Sequence, residues 1–449
     1  MIETLALSPI GHALHASVRV PGSKSLTNRA LLVAALAAGS TRLTDALFSD
    51  DSRYFAEALQ ALGFDVQLDP LKMEMTVTGL GGRIPARKAE LFIGNAGTAA
   101  RFLSAFLTLG KGEYILDGDA RMRERPIGDL VEALEQLGAK VELLDQGSEI
   151  VNRKSQIVNR KSSSLPIRIA GSGLPGGRAS IAGDISSQFL SALLMVGSYA
   201  QRAVELLLST ELNSRPYVDM TLAVMHDFGI EVEREGYERF VVRQGFYQAR
   251  PSYAIESDAS AASYFFAAPA VLGGSVRVEN ISRRSKQGDI AFLGVLEQMG
   301  CSVTEGPGYI EVTGPAVGRG SPDPALRGVD VDLRDIPDTA QTLAVIAPFA
   351  VGPTRIRGIA SARVKETDRV AAMVAELGRL GVPVEEYPDG LAIQPCATIR
   401  PATVQTYNDH RMAMAFALLG LRTPGVSIEN PGCVSKTFPN YFTVLEALR

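Results

Sequence analysis

"EALEQLGAKVEL", residues 132–143, runs from an amphipathic helix through a glycine into an alternating strand. A glycine just past a helix supplies the left-handed turn that ends it, and the alternation of Val with polar residues is typical of a strand. The same pattern occurs five times, with marker glycines at Gly63, Gly138, Gly229, Gly300 and Gly381. These glycines are 75, 91, 71 and 81 residues apart. A sixth copy, "NYFTVLEALR" (440–449), stops where its glycine would come.

Each copy also contains an earlier helix that opens at a polar loop. The openings are "PGSKSLTNRALL" (21–32), "GNAGTAARFL" (94–103), "DISSQFLSALL" (184–194), "ESDASAASYFF" (256–266), "DIPDTAQTLAV" (335–345) and "YNDHRMAMAF" (407–416). One polar residue in each opening serves as a marker: Lys24, Asn95, Ser186, Asp258, Asp338 and Asp409. These markers are 71, 91, 72, 80 and 71 residues apart, close to the spacings of the glycines. The sequence therefore predicts six repeats, each of two helices plus strands.

Six repeats divide naturally into two similar α/β halves of three. The segment "RQGFYQARPSYAI" (243–255) is rich in turn formers and aromatic residues and marks the join. We predict a domain I made of residues 1–20 and 254–449, and a domain II made of residues 21–253. Two halves joined by short links favour a hinged pair with a ligand-binding cleft.

Composition limits the class of protein. The 449 residues are 46% hydrophobic with a net charge of −4, which is typical of a globular protein and argues against a nucleic-acid partner. Three scattered cysteines and four histidines without a metal-binding spacing predict neither a disulfide framework nor a metal site. The N-terminus lacks the pattern of a signal peptide, and no apolar run is long enough for a membrane span. We expect a cytoplasmic protein.

The polar openings are suited to anions. Helix N-termini leave backbone N–H groups unpaired and carry the positive end of the helix dipole, so they bind phosphate and carboxylate. Cations stand at or near these openings and related loops in both halves: Lys24, Arg29, Arg125, Lys365, Arg369, Arg411 and Lys436. A single such residue is more often a solvated helix end, but the set predicts a site for anionic ligands that favours closure of the two halves.

Two carboxylates lie among these cations, Asp338 in "DIPDTAQ" and Glu366 in "VKETDR". A carboxylate near Lys and Arg is able to move protons once burial and charge tune its pKa, although Asp338 also fits a plain helix cap. Ser186, Ser187 and Gln188 fit either as helix caps or as donors to phosphate oxygens. A separate feature, the tandem "IVNRKSQIVNRKSS" (150–163), reads as a surface duplication or as an extra basic contact.

The openings, together with "RMRERPIGDL", "SRPYVDMTL", "VKETDR" and "KTFPNYF", resemble the 5-enolpyruvylshikimate-3-phosphate synthase family in order and spacing from about residue 8 onward. The resemblance implies two similar domains of three βαβαββ-type repeats, an inside-out α/β barrel-like arrangement known as the enolpyruvyl transferase fold. It implies transfer of the enolpyruvyl group of phosphoenolpyruvate to the 5-hydroxyl of shikimate 3-phosphate with release of phosphate, a step of chorismate and aromatic amino acid biosynthesis. It implies a monomer without metal or organic cofactor.

The resemblance also assigns site residues, position by position. Shikimate 3-phosphate would be bound by Lys24, Ser25, Arg29, Ser186, Ser187, Gln188, Ser214, Asp338 and Lys365, with Tyr217 close by. Phosphoenolpyruvate would be bound by Lys24, Gly97, Arg125, Gln188, Arg369, Arg411 and Lys436. The catalytic residues would be Asp338, Glu366 and Lys24. Gly97 implies sensitivity to the inhibitor glyphosate, because a larger residue would crowd it.

The resemblance has departures and rivals. Ser361 stands where many members have Asn, four residues before the Lys of "VKETDR", and this puts one ring-hydroxyl contact in question. A UDP-N-acetylglucosamine enolpyruvyl transferase would share the architecture, but it typically carries a Cys in the loop that here reads "GDARMRERPIG" (118–128). A non-catalytic anion-binding protein on the same scaffold is the other alternative, and the presence of both Asp338 and Glu366 argues against it.

Overall fold

The computed structural model describes residues 3–144, 163–315 and 326–449. The expectations for the tandem segment at 150–163 fall, apart from its last residue, outside these ranges. Contacts divide the chain into two compact units. The terminal unit comprises Met1–Pro21 and Glu256–Arg449, and the central unit comprises Gly22–Ile255.

The described strands alternate with helices along most of the chain. The strands are β1 Thr4–Ala6, β2 Leu14–Arg19, β3 Ala38–Thr44, β4 Asp65–Asp69, β5 Glu74–Leu80, β6 Lys88–Phe92, β7 Lys111–Asp117, β8 Lys140–Leu143, β9 Ile167–Ser172, β10 Gly177–Ile181, β11 Val204–Leu208, β12 Val232–Glu235, β13 Arg239–Val242, β14 Tyr253–Ala254, β15 Gly274–Glu279, β16 Ser302–Gly306, β17 Tyr309–Thr313, β18 Asp330–Asp332, β19 Thr354–Arg357, β20 Val384–Tyr387, β21 Gly390–Ile393, β22 Thr403–Val404 and β23 Ser427–Glu429.

The α-helices are α1 Lys24–Leu36, α2 Asp50–Ala61, α3 Gly97–Leu107, α4 Gly128–Gln136, α5 Ser187–Gly197, α6 Arg215–Asp227, α7 Ala259–Leu272, α8 Phe292–Gln298, α9 Ala340–Ile346, α10 Arg369–Arg379, α11 His410–Gly420 and α12 Tyr441–Glu446. Short 3₁₀ helices add Met122–Glu124, Gly288–Ala291, Pro337–Thr339, Ala347–Phe349, Ala360–Val364 and Pro431–Lys436.

These strands form six small sheets in the described part of the chain, three in each unit. In the central unit the strand orders are β14-β3-β5-β4, β6-β7-β9-β8 and β10-β11-β13-β12. In the terminal unit they are β16-β17-β15-β2, β18-β19-β21-β20 and β1-β23-β22. The second central sheet shows the repeat in full, since β6, α3, β7, α4, β8 and β9 follow one another along the chain. The predicted α/β fold of βαβαββ repeats is confirmed.

One repeat in each unit borrows its first strand from a distant segment. β14 pairs in parallel with β3 in the central unit, and β2 pairs in parallel with β15 in the terminal unit. The sixth sheet is completed by β1, which runs antiparallel to β23, so Leu5 faces Ile428. The final repeat thus has a strand from the start of the chain where the others have a hairpin.

The marker glycines end the second helix of five of the six repeats, as predicted. Gly63, Gly138, Gly229, Gly300 and Gly381 have φ of +90°, +90°, +91°, +104° and +80°. A residue with a Cβ atom is strained in this conformation. Each glycine is followed within a few residues by a strand, respectively β4, β8, β12, β16 and β20.

The first helix of each repeat is the buried one. Every residue of α3, α7, α9 and α11 is buried, and so are eleven of the thirteen residues of α1. A helix that is apolar on nearly all sides packs inside, whereas the amphipathic α2, α4 and α10 cover the outside. Each unit has its own hydrophobic core around these helices. Among the described residues, no helix combines the length and the low charge that a membrane-crossing segment needs.

Candidate active site

In the terminal unit, the charged opening at 407–411 holds a neighbouring arginine. Tyr407 and Asn408 both have φ near +54°, and this turn presents Asp409 as the N-cap of α11. The Asp409 carboxylate accepts a hydrogen bond from the backbone N–H of Arg411 at 2.9 Å. It also accepts the Nε of Arg369 at 2.7 Å. Asp409 is fully buried, so the cap and the ion pair lock the start of α11 to the start of α10.

Asp338 stands at the centre of the cations of this unit. Its Oδ1 accepts Lys365 Nζ at 2.7 Å and a terminal nitrogen of Arg369 at 3.0 Å. Its Oδ2 accepts a terminal nitrogen of Arg411 at 2.8 Å. The residue lies inside the 3₁₀ helix Pro337–Thr339, and α9 begins after Thr339 without a side-chain cap. The carboxylate therefore serves the cations and does not cap a helix.

Glu366 forms the other side of the cluster. Its Oε2 accepts a terminal nitrogen of Arg369 at 2.7 Å, and its Oε1 lies 3.6 Å from Lys436 Nζ. Arg369 is thereby shared among Asp338, Glu366 and Asp409. Burial alone would disfavour its charge, but the three carboxylates outweigh burial and raise its pKa above the usual arginine value. Arg369 therefore stays protonated and lies buried within the cluster.

The charged groups of this cluster differ in how exposed they are. Four cations (Lys365, Arg369, Arg411 and Lys436) face three directly paired carboxylates (Asp338, Glu366 and Asp409). The side chains of Lys365, Asp338 and Lys436 keep 27%, 13% and 10% of their surface exposed, whereas those of Arg369 and Asp409 are almost fully buried. The most accessible side chain of the cluster is therefore a cation, Lys365, which suits an anionic ligand.

Two further buried groups adjoin this cluster. The hydroxyl of Tyr264 on α7 lies 3.4 Å from a terminal nitrogen of Arg411. Asp289 accepts a hydrogen bond from the Ser260 hydroxyl, and burial, together with the nearby charge of Asp338, raises its pKa to about 6. Asp289 and Tyr264 were not among the predicted site residues. Tyr264 lies within the opening at 256–266 and Asp289 within the 3₁₀ helix Gly288–Ala291, and only tertiary packing brings the two residues to the cluster.

In the central unit, the predicted residues lie at the starts of the buried helices. Lys24 is the first residue of α1, and its Nζ lies 3.7 Å from the buried carboxylate of Asp51. Ser23 caps the helix by accepting from the backbone N–H of Leu26. Ser25 is half-buried, and its carbonyl oxygen accepts a hydrogen bond from Arg29 at 3.0 Å. Lys24 and Ser25 are thus the first two residues of α1, at its N-terminus.

Arg29 is buried more deeply than a ligand-facing cation needs to be. It is 1% exposed, and its guanidinium donates to the Thr221 hydroxyl at 2.7 Å and to the Tyr217 carbonyl oxygen at 3.0 Å. Burial lowers its pKa to about 10. These contacts tie α1 to α6, so in this structure Arg29 holds the helix that carries Tyr217. The expectation from the resemblance, a direct contact with the substrate phosphate, stays a prediction.

Gly97 and Arg125 are in direct contact. A terminal nitrogen of Arg125 donates to the side-chain oxygen of Asn95 at 2.9 Å, and Gly97 begins α3 two residues later. A Cβ atom added at Gly97 would lie 2.5 Å from the Arg125 guanidinium. The glycine therefore makes room for Arg125. The backbone of Arg125 is extended, and α4 begins at Gly128.

The remaining predicted residues lie at the starts of α5 and α6. Ser186 is the N-cap of α5 and accepts from the backbone N–H of Gln188, so the cap interpretation describes this serine. Gln188 donates to the Thr98 hydroxyl at 3.2 Å, which connects α5 to α3. Ser187 is the first residue of α5, and Ser214 precedes α6 in the left-handed conformation, at φ +57°. Both are buried, with hydroxyl groups at the helix ends.

Lys365 and Glu366 precede their helix and do not begin it. α10 starts at Arg369 with Asp368 as its cap, and Lys365 follows the 3₁₀ helix Ala360–Val364. Ser361 lies within that 3₁₀ helix, and its hydroxyl has no hydrogen-bond partner among the described residues. A buried hydroxyl of this kind is a ready donor at the position where many family members have Asn.

The chain is similar to known proteins in sequence and in structure. The model of the family described as EPSP synthase (3-phosphoshikimate 1-carboxyvinyltransferase) matches residues 9–445. A 3-phosphoshikimate 1-carboxyvinyltransferase of Trichormus variabilis is 49% identical, with 98% of each chain covered. The enzyme of the same name from Vibrio atlanticus is 46% identical, with 100% of each chain covered.

Solved structures share the fold. An EPSP synthase from Acinetobacter baumannii superposes with a TM-score of 0.78 at 24% identity, over 99% of this chain and 97% of that chain. The enolpyruvyl transferase NikO from Streptomyces tendae has a TM-score of 0.74 at 18% identity, over 99% and 97% of the two chains. At these identities the structures support the fold, and the activity is inferred from the family and the curated relatives. On that evidence the chain belongs to the EPSP synthase family, the 3-phosphoshikimate 1-carboxyvinyltransferases, as the sequence predicted.

Proposed function

We propose that the two groups of residues at the helix openings bind the two substrates of the family reaction, which joins phosphoenolpyruvate to the 5-hydroxyl of shikimate 3-phosphate. Family membership makes this chain an enolpyruvyl transferase of the shikimate pathway. The observation that carries the assignment is the network around Asp338, in which one carboxylate meets Lys365, Arg369 and Arg411. We propose further that the two compact units correspond to the two predicted domains.

The reaction is an addition followed by an elimination. The 5-oxygen bonds to C2 of phosphoenolpyruvate while C3 gains a proton and the hydroxyl loses one. Phosphate then leaves C2, and C3 gives up a proton to restore the double bond. The enzyme must therefore hold two anions, take a proton from oxygen, and both give and take a proton at carbon.

We assign the phosphoenolpyruvate contacts of the terminal unit to three cations of the cluster, Arg369, Arg411 and Lys436. Lys436 lies 3.6 Å from Glu366 and keeps 10% of its side-chain surface exposed, whereas Arg369 and Arg411 are more deeply buried. Arginine grips carboxylate and phosphate oxygens in a bidentate manner, and lysine adds a point charge. The family pattern adds contacts from the central unit: Lys24, Gly97, Arg125 and Gln188. These cations would also stabilise the departing phosphate.

The shikimate 3-phosphate contacts fall on hydroxyl and amide donors of the central unit. Ser25, Ser186, Ser187, Ser214 and Gln188 stand at helix N-termini, where backbone N–H groups and the dipole favour phosphate. Asp338 and Lys365, paired at 2.7 Å, would receive the ring hydroxyls. Such a pair discriminates hydroxyl groups because the carboxylate accepts and the ammonium donates.

Asp338 is the proposed acceptor of the 5-hydroxyl proton. Its carboxylate contacts three cations, Lys365, Arg369 and Arg411, and 13% of its side-chain surface stays accessible. Glu366, with Lys24, is the proposed pair for the protons at C3. Glu366 bridges Arg369 and Lys436, so it stands beside the cations assigned to phosphoenolpyruvate.

An assay of phosphate release tests the proposed function. We expect release only when both substrates are present, together with a product heavier than shikimate 3-phosphate by the enolpyruvyl group. Asp338→Asn, which removes the proposed proton acceptor, should slow this release. Its matched control is Asp330→Asn, which alters an exposed carboxylate on β18 that pairs with Arg357. Release without shikimate 3-phosphate, or no release with both substrates, would contradict the proposal.

Two aspects of the proposal rest on family analogy, a monomeric state and a cytoplasmic location. The three free cysteines fit a cytoplasmic location.

A further inference from the structure

The central unit has a cavity at the end opposite its helix openings. We call it the cationic pocket and define it by Arg83, Arg87, Lys111, Tyr199, Gln201 and Phe246. Its wall includes Leu109 and Gly110, just after the end of α3, and Tyr199, just after the end of α5. α3 has 11 residues, so at 1.5 Å per residue its two ends are about 16 Å apart. The pocket is therefore separate from the helix starts that carry Gly97 and Ser187.

The size of the pocket fits a small molecule. Its volume is about 730 Å³, within the range of pockets that hold small ligands. One wall is aromatic: the rings of Tyr199 and Phe246 meet edge to face, with centroids 5.6 Å apart. Tyr199 is fixed, because its hydroxyl donates to the Leu36 carbonyl oxygen at 2.6 Å. Phe246 is 74% exposed, so most of its ring is in water.

The charge of the pocket has one sign. Arg83, Arg87 and Lys111 line it together with no Asp or Glu. None of the three forms an ion pair with a carboxylate in residues 3–144, 163–315 and 326–449. The carbonyl groups at the nearby helix ends are already engaged: Ala37 accepts from Gly81 N–H, and Gly110 accepts from Gly173 N–H. The helix ends therefore do not use up the three cations.

The terminal unit provides an internal comparison. A cavity of about 480 Å³ follows the ends of α9 and α11, the corresponding place in its repeats. Its one cation is committed, because Arg422 donates to the Val271 carbonyl oxygen at 2.9 Å and its guanidinium lies over the Phe349 ring. Of these two cavities, only the one in the central unit combines an exposed aromatic ring with three cations that form no ion pair with a described carboxylate.

We propose that the cationic pocket is a second ligand site, which binds a small aromatic carboxylate. The carboxylate would neutralise the cations, and Arg83 and Arg87 offer the fork that matches two carboxylate oxygens. The ring would stack on Phe246 and remove its surface from water. An anion without a ring, such as inorganic phosphate, would leave that surface exposed and bind more weakly. The proposal does not depend on the reaction at the helix openings.

The chain contains no Trp, so Phe246→Trp places a single fluorescent reporter in the pocket. We expect benzoate to change the emission of this variant saturably, with a Kd of about 1 mM. Benzyl alcohol, which lacks the charge, should bind at least about fivefold more weakly, and so should inorganic phosphate. The matched control is Phe349→Trp, which places the same reporter in the cavity of the terminal unit and should not respond.

Charge removal decides whether the cations bind the probe. In the reporter background, Arg87→Gln with Lys111→Met should weaken benzoate binding at least about fivefold, and rising salt should weaken it as well. Lys88→Met removes a charge next to Arg87 but outside the pocket, and should change nothing. Phosphate release from the two substrates should be the same for all these variants.

Three results would overturn the proposal. The first is no saturable response below about 10 mM benzoate, and the second is an equal response to benzyl alcohol. The third is a response that survives the loss of both cations. Should Phe246→Trp fail to fold, saturation-transfer NMR of benzoate with the wild-type chain and with Arg87→Gln/Lys111→Met applies the same criteria.

Discussion

At the scale of single residues, the neighbours that the fold places around a side chain decide what it is able to do. Asp338 is the common partner of Lys365, Arg369 and Arg411, and an accessible edge remains beside these cations. Arg29 has a similar sequence setting at the start of a helix, yet its donors are used inside the central unit. Two charged residues with comparable sequence signals thus differ in what they offer to a ligand.

Asp338→Asn separates binding from turnover. The amide keeps the shape of the carboxylate but does not accept a proton, so kcat should fall by at least about a hundredfold. Removal of a negative charge among three cations should not weaken anion binding. Steady-state kinetics and calorimetric titration with shikimate 3-phosphate measure the two effects. Turnover close to that of the wild type would remove Asp338 from the mechanism.

Gly97→Ala should disturb phosphoenolpyruvate binding through Arg125. The added Cβ would lie 2.5–2.8 Å from the guanidinium, so Arg125 must shift away from its place beside Asn95. We expect KM for phosphoenolpyruvate to rise about tenfold, or about 1.4 kcal/mol in binding, with a smaller change for shikimate 3-phosphate. Gly294→Ala is the control, because no atom lies within 4 Å of the added Cβ there. Equal KM values for the two variants would contradict the expectation.

Asp289 makes stability depend on pH in a defined direction. Its pKa in the folded protein, about 6, is above the ordinary value of 3.8, so the folded state binds this proton more tightly than the unfolded chain. The stabilisation is complete below the ordinary pKa and is lost as pH rises through 6. Asp289→Asn should therefore raise Tm relative to the wild type more at pH 8 than at pH 4. Differential scanning calorimetry at the two pH values tests this, and the same Tm difference at both would refute it.

At the scale of helices and strands, the sequence predicts the local features well. The turn after each second helix needs a residue with positive φ, and glycine satisfies that need without help from distant residues. α4 begins at Gly128, two residues after Pro126. The residue before a proline favours extended backbone, as Arg125 has, and the N–H of Ile127 donates to Ser163 before the helix begins.

The marker glycines give a prediction about these turns. Gly229→Ala forces a Cβ into a left-handed conformation at φ +91°, whereas Gly378→Ala lies in α10 with open space around it. The first should lower Tm by about 2–4 °C, the effect of roughly 1 kcal/mol in a unit of this size. The second should leave Tm unchanged or raise it slightly, since Ala favours a helix. Thermal unfolding followed by circular dichroism compares the two, and equal Tm changes would contradict the argument.

At the scale of the whole molecule, the sequence does not predict which distant residues contact one another. Arg369 meets Asp409 across 40 residues and Arg411 meets Asp338 across 73, and no local pattern encodes such pairs. Asp409 was visible only as a helix opening, and Asp289 was not visible at all. The repeats fix where each helix begins, but the partners depend on how three repeats pack around one core.

The central unit should fold by itself. It is a continuous segment, Gly22–Ile255, with its own hydrophobic core and three sheets. A fragment of these residues should unfold cooperatively on heating and show no transferase activity, because Asp338 and Glu366 lie in the other unit. Calorimetry and the phosphate assay measure the two properties. A fragment without a cooperative transition would show that the central core depends on the rest of the chain.

The borrowed strands also set an order for biosynthesis on the ribosome. β14 closes the central unit against β3, so that unit is able to finish once residue 254 has emerged. In the terminal unit, β1 and β2 must stay unpaired for longer, because their partners β23 and β15 lie more than 250 residues further along the nascent polypeptide. Pairings this remote form slowly and late. During translation the central unit would thus be completed first, and β1 at the N-terminus would stay unpaired until the last codons are read.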